Sequence, residues 1–257
     1  NPEDLIVPQP YDQMLSQDKS HFRVFNTTVS AFNDNMDGYK YSNIGGYSPA
    51  KLYRYQDLIE RQLSKGSMPV LSMLNMKYFI VDNNGQKVHQ QNPDAAGNSW
   101  FVKEVKWAKN ADEEMNSLTT FNPKSTVWID QRYKNETNFT PASDPNSSIT
   151  LSKYNPDNME YTSSSTSGGF VVFSEIWKRG NEEWKIFMDG KESKMVRVNY
   201  LLRGAYIPAG NHKVDMKFLP ATLVSLLNVS LIFTILVVLI SLGIIWFSYK
   251  KSKTESV

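Results

Sequence analysis

The chain of 257 residues contains no cysteine. That absence excludes a disulfide framework and any cysteine-based metal centre, and it is compatible with export. Histidine occurs only at positions 21, 89 and 212, without an HExxH spacing, so no metal centre is expected. There is no GxSxG elbow, Walker loop or dinucleotide GxGxxG, which removes the commonest sequence-readable catalytic classes. A surplus of charge is missing too. The 28 Lys+Arg nearly balance 26 Asp+Glu, and the whole net charge of +2 sits in the last eight residues, KKSKTESV. A neutral body with a short basic tail excludes a nucleic-acid-binding surface.

Long apolar runs are absent with one exception. Residues 218–249 carry no charged side chain, and Leu223–Phe247 has 19 apolar residues among 25, although the mean hydropathy of the chain is only −0.43. As a helix this run reaches about 37 Å, enough to cross about 30 Å of hydrocarbon. Trp246, Phe247 and Tyr249 stand at one end, as amphipathic rings do at the headgroup level, and Lys250, Lys251 and Lys253 follow. The expectation is a transmembrane helix at 222–248 and a cytoplasmic tail at 249–257, with the bulk of the chain extracytoplasmic. Lys213 and Lys217 flank the other end and narrow the charge asymmetry. The opening NPEDLIVPQP has no Met, basic n-region or apolar h-region, so an exported chain is expected to be missing its beginning. A tail-anchored protein with a cytoplasmic bulk is the competing placement.

The pattern divides near residue 122. Residues 1–122 alternate helix and strand signals, 123–147 read as a linker or long loop, and 148–219, together with a strand at 125–129, read as a β-sandwich. The fold class is therefore α+β: a mixed helix and strand region, an antiparallel β-sandwich and a C-terminal membrane helix. Ser48-Pro49 predicts a helix start and Gly66 its stop. Met68–Asn75 predicts a second short helix, Met76–Asp82 and Trp100–Trp107 predict strands, and Asn110 with Glu113 predicts a capped helix. Short strands follow through Phe218, with hairpin turns expected at Asp189-Gly190 and at Pro208–Asn211. The last strand feeds through Pro220 into the apolar helix, which would hold the sandwich close to the bilayer.

Candidate binding residues fall in three groups. Lys51, Arg54, Arg61 and Lys65 share one side of the predicted helix and could hold phosphate or a lipid headgroup; a solvated face paired to residues such as Asp57 is the plainer alternative. Trp177 and Trp184, with Tyr200 and Tyr206, could stack sugars, against ordinary core packing. Asn33-x-Asn35-x-Asp37-Gly38 imitates half an EF-hand loop, but its twelfth position is Ile44, so Asx turn chemistry is preferred to calcium. Asp189 reads as a turn residue and Asp215 as a strand surface residue. No carboxylate pair is placed as acid and base, so catalytic residues are left unassigned. Asn26, Asn135, Asn138 and Asn146 precede x-Ser/Thr, a motif that recurs by chance in so Asn- and Ser-rich a chain.

Taken together, IGGYSPAKLYRYQDLI (44–59), VLSMLNMKYFIV (70–81), GNSWFV (97–102), WKIFMDGKE (184–192), VNYLLRGAYIPAGNHKV (198–214) and a terminal apolar helix resemble the C-terminal part of bacterial YfhO-type membrane proteins. The resemblance implies a longer polytopic protein, with upstream membrane helices, related to GT-C glycosyltransferases that use polyprenyl-phosphate sugars on envelope glycans. It implies partners in the lipid bilayer, a lipid-linked sugar and an envelope polymer, and makes Gly45, Gly46 and Tyr47 candidate contacts. The family's aromatic–His pair is replaced here by Tyr41-Ser42-Asn43, and its catalytic acidic loop has no counterpart in this sequence, so no catalytic residue carries over. A single-pass anchored module that binds carbohydrate or protein is the alternative.

Overall fold

The computed structural model describes residues 7–137, 144–178 and 183–255, with side chains described to Phe247. The expected sequon at Asn138 and the tail lysine side chains lie outside the described residues. In chain order, α1 (Pro10–Gln17) and β1 (Arg23–Asn26) come first. After a 3-10 turn at Met36–Tyr39 follow α2 (Tyr53–Arg61), α3 (Met68–Met73) and the hairpin β2 (Met76–Asn83) and β3 (Gln86–Gln91). β1 lies parallel to β2, so the intervening helices form the crossover, and Asn84 and Gly85 turn the hairpin at φ 54° and 83°. The inner face of α1 packs Tyr11 and Leu15 on Val24 and Ile80 of this sheet.

α2 starts four residues later than Ser48-Pro49 predicts. The Ser48 hydroxyl accepts the Ala50 N–H instead, forming a local turn that competes with helix initiation. Lys51 therefore precedes the helix and Lys65 lies in a 3-10 turn, Leu63–Lys65, after it. Gly66 does end the run, at φ 69°. Leu58, Ile59 and Leu63 are buried against Val70, Leu71 and Leu74. α4 (Ala111–Ser117) is capped as expected: Asn110 accepts the Glu113 N–H, while the Glu113 carboxylate reaches back to the Lys109 N–H.

The remaining strands build two sheets. β4 (Ser99–Val102), β5 (Glu104–Ala108), β6 (Thr126–Asp130), β9 (Gly169–Ile176), β12 (Val196–Val198) and β13 (Leu202–Ile207) form one, in the order β4-β9-β13-β12-β6-β5. The expected single strand Trp100–Trp107 is two, broken at Lys103, because both the Lys103 and Glu104 N–H groups turn to the Ser125 carbonyl. Its first half pairs with β9 and its second with β6, in parallel, so one chain segment supplies both edge strands of the sheet. Gly204 lies in tight packing on this sheet: an added Cβ would sit 2.7–2.8 Å from the Phe170 ring and Val198. The other sheet runs β11 (Lys191–Ser193), β10 (Trp184–Met188), β14 (Gly210–Phe218), β8 (Asn158–Ser165), β7 (Ser148–Asn155). It layers on the first through Tyr161, edge-on to Phe173 with ring centroids 5.0 Å apart.

The α+β class holds, but the strands before and after 123–147 belong to one sheet and one core, with Leu71, Val127, Phe170 and Leu202 in the same cluster. The expected break there is a 3-10 helix (Gln131–Glu136) and an Asp144-centred turn within that body. Asp189-Gly190 closes the β10–β11 hairpin, whereas Pro208–Gly210 links strands of different sheets and makes no hairpin. Asp215 is only 6% exposed, held by Lys213 at 3.4 Å, and so is not the surface residue expected from alternation.

Two compact units emerge. Nearly all of residues 7–217 form the first; Phe218 onward, with Glu183 and Trp184, forms the second. In the second unit the Leu219 N–H donates to the Glu183 carbonyl, Trp184 packs on Phe218 at 5.4 Å, and α5 runs Ala221–Glu255. Ala221–Phe247 is long and apolar enough to cross a membrane, and none of its apolar surface is buried.

Candidate functional site

The loop between β1 and α2 is folded by its own side chains. The Asn35 amide brackets Tyr47, accepting its N–H at 2.6 Å and donating to its carbonyl at 3.1 Å. Gly46 adopts φ 103° and gives its N–H to the Ala31 carbonyl at 2.7 Å. Gly45 is pressed against the same group, so that an added Cβ would lie 1.9 Å from the Ala31 oxygen. The glycine pair is thus required by close backbone approach. An open cleft of about 470 Å³ results, lined by Asn35, Tyr39, Lys40, Ser42, Asn43 and Gly46, among others.

Its charged groups are engaged. Lys40 holds Asp12 at 2.6 Å and the Val7 carbonyl at 2.9 Å. Tyr41 donates its hydroxyl to Asp12. Burial raises the Asp12 carboxyl, yet hydrogen bonds from Gln9, Lys40 and Tyr41 hold it below the usual carboxylate range. Asp37 accepts from the buried Asn26 amide, and Asn33 donates to the Ser30 hydroxyl. The EF-hand-like residues are therefore spent on turns, in keeping with the Asx reading, and no cluster of three or more His, Asp or Glu occurs among the described residues. Tyr39, which lines the cleft, is 72% exposed, and Tyr47, next to Gly46, is 58% exposed.

The basic residues of 51–65 do not form one free stripe. Arg54 stacks over the Tyr200 ring at 4.6 Å, and burial lowers its pKa. Arg61 donates to Asp112 at 2.6 Å and Asn116 at 2.9 Å. Both arginines dock α2 onto neighbouring elements, while Lys65 is exposed and Lys51 half-buried. Trp177 is half-buried and gives its backbone N–H to the Leu201 carbonyl; Trp184 lies against Phe218. Tyr200 is buried, its hydroxyl on Asp57 at 2.5 Å, and burial with that carboxylate pushes it up to about 12. Tyr206 is half-buried against the core.

Residues overlooked in the sequence dominate the interior instead. Glu114 on α4 is wholly buried and accepts from Arg197 at 2.7 Å and from the Tyr200 N–H at 2.8 Å. Arg197 also donates to the Tyr200 carbonyl at 2.6 Å and faces Asp130 at 3.6 Å. Asn199 and Tyr200 stand at φ 45° and 70°, held there because Asn199 exchanges 2.8 Å hydrogen bonds with Trp128 through both its backbone N–H and its side-chain oxygen. A second cluster surrounds His21, which stacks on Tyr154 at 3.7 Å and faces Glu175 at 4.0 Å.

No family model matches the chain, and no curated protein or solved structure matches it. What the fold itself defines is an α+β domain of three β-sheets with one C-terminal helix long and apolar enough to cross a membrane.

Proposed function

We propose that this chain is an extracytoplasmic portion of a polytopic membrane protein resembling the polyprenyl-phosphate-sugar-dependent glycosyltransferases of envelope glycans. In this reading the portion is itself non-catalytic and contacts donor or acceptor, or supports the membrane core. The observation that carries the reading is the helix Ala221–Phe247, whose apolar side chains are all exposed and need hydrocarbon around them. The ionisable clusters described above support a non-catalytic role, because their charges are tied into packing: Glu114 on Arg197, Asp12 on Lys40 and Asp112 on Arg61. By the positive-inside rule the bilayer is the cytoplasmic membrane, with Lys250, Lys251 and Lys253 on the cytoplasmic side.

The lack of cysteine makes the placement directly testable. Tyr53→Cys, at a position 80% exposed, should react with a membrane-impermeant maleimide in intact spheroplasts of a bacterial host, and Ser252→Cys only after lysis. The reverse labelling pattern overturns the placement. Co-purification of the chain with an envelope glycosyl acceptor tests the contact role.

A further inference from the structure

We infer that the Tyr39–Gly46 cleft is a binding site for a neutral saccharide. Four features select that ligand chemistry. The cleft's one cation, Lys40, is already neutralised by Asp12 at 2.6 Å, so the site holds no free positive charge for a phosphate or carboxylate. Asn35 and Tyr41 have their polar atoms committed to Tyr47 and Asp12. The Ser42 hydroxyl and the Asn43 amide nitrogen, by contrast, make no hydrogen bond among the described residues, and both residues line the cleft. They are uncharged groups of the kind that pair with sugar hydroxyls. Finally, Tyr39 lines the cleft 72% exposed, and Tyr47, 58% exposed, follows Gly46 directly. A pyranose presents an apolar C–H face to the electron-rich face of such a ring while its rim of hydroxyls meets the amide and hydroxyl.

The loop under these groups is cross-linked by its own hydrogen bonds, which favours a weak polar ligand by lowering the ordering cost. Gly45 has no room for a Cβ against Ala31, Asn35 pins Tyr47 at both backbone atoms, and the Asn43 side-chain oxygen accepts the Gly45 N–H at 3.1 Å. At about 470 Å³ the cleft is in the range of small-ligand sites. The inference names the ligand class of the acceptor-contact reading and rests on it only for the compartment in which a glycan would be met.

The test uses the full chain in a zwitterionic detergent without a sugar headgroup. Chito-, malto-, manno- and cello-hexaose are titrated by saturation-transfer NMR and calorimetry. At least one is expected to bind, with Tyr39→Ala weakening it about tenfold or more and Tyr39→Phe leaving it nearly intact. Asn43→Ala should weaken it severalfold, while Trp184→Ala leaves it unchanged. The exposure of Tyr39 makes misfolding of its variants unexpected, and an unchanged melting curve checks this. Binding of none of the four sugars, or undiminished binding by Tyr39→Ala, overturns the inference, as does a Tyr39→Ala defect seen only with phospholipid vesicles. Inverted cysteine labelling would remove the extracytoplasmic placement and leave the saccharide titration standing, so the two failures are distinguishable.

Discussion

The two charge clusters of the domain, one buried around Arg197 and one partly buried around Arg23, are built to different tolerances. Around Arg197 the contacts to Glu114 and to the Tyr200 carbonyl are 2.7 and 2.6 Å, and the carboxylate's other oxygen is taken by the Tyr200 N–H. Around Arg23 the ion pair with Glu175 is 3.8 Å, and the guanidinium spends itself on the Leu74 and Ser174 carbonyls at 2.8 Å. The first cluster ties α4 to the β12–β13 turn through a fully buried ion pair, with Asp130 farther off at 3.6 Å. The second ties β1 to β9 through a cation that backbone oxygens would hold anyway. A buried ion pair contributes little net stability when intact but is costly to break from one side. The tightness of the pair therefore predicts the penalty for breaking it.

The sharpest way to break the contrast is to remove one carboxylate from each cluster. Glu114→Ala takes the close carboxylate from Arg197, which is 2% exposed and keeps only the Tyr200 carbonyl and the more distant Asp130, and leaves the Tyr200 N–H without its acceptor. A loss of about 3–5 kcal/mol is expected in denaturant unfolding of the full chain. Glu175→Ala leaves Arg23 bonded to two carbonyls and the Ser174 hydroxyl, so about 1 kcal/mol or less is expected. Equal losses at the two positions would refute the contrast.

His21 sharpens it through pH. Burial, with Arg23 nearby, pushes its pKa from 6.5 down to about 4. Arg23, Arg203, Glu175, Tyr154 and Tyr161 are the charged and titratable groups gathered there. Below the unfolded value the unfolded chain takes up a proton that the native state refuses. The stability from neutral His21 is thus complete above pH 6.5 and drains away as pH falls toward about 4, by up to about 3 kcal/mol. His21→Phe keeps a ring on Tyr154 and should flatten the pH 4–6.5 slope of the unfolding midpoint. A slope identical to that of the unsubstituted chain would mean that His21 titrates alike in the folded and unfolded states and would remove the effect.

Packing at Gly204 offers a third, smaller effect. Gly204→Ala should cost about 1–3 kcal/mol, because the new methyl must displace Phe170 or Val198 at 2.7–2.8 Å. No loss in thermal unfolding would mean that the sheet yields more easily than its packing implies.

Neither cluster could be read in the sequence. Local chemistry was legible wherever neighbours decide the outcome: Asn84-Gly85 and Asp189-Gly190 turn as their types require, Asn110 caps α4, and Gly66 ends its run. The apolar helix at 221–247 was legible for the same reason, since its composition alone separates it from the rest. Failures came where a distant group intervenes. The alternation of WFVKEVKW passes smoothly through Lys103, and only the Ser125 carbonyl, distant in sequence, breaks it. The stripe of Arg54 and Arg61 looked solvated until Tyr200 and Asp112 were folded onto it. The glycines at 45 and 46 could be singled out by resemblance, but the reason for them, the Ala31 carbonyl and the Asn35 clamp, is a long-range contact. Glu114 has no signature at all, because an acidic residue in a capped helix is ordinarily solvated.

The smallest prediction joins the legible part to the illegible one. Asn110 accepts the Glu113 N–H at 2.9 Å and so sets the first turn of the helix that carries Glu114 into the core. Asn110→Ala removes that acceptor and should cost about 1 kcal/mol, the ordinary value of an N-cap. If α4 is held chiefly by the Glu114–Arg197 contact, the same substitution made in a Glu114→Ala background should cost more, since the frayed turn no longer has a buried anchor four residues on. A double-mutant cycle in denaturant decides between them: coupling above about 0.5 kcal/mol means cap and ion pair act as one device. Strict additivity would mean that the helix is fixed by Met115 and Leu118 in the core and that the charge cluster only sets how the β12–β13 turn meets it.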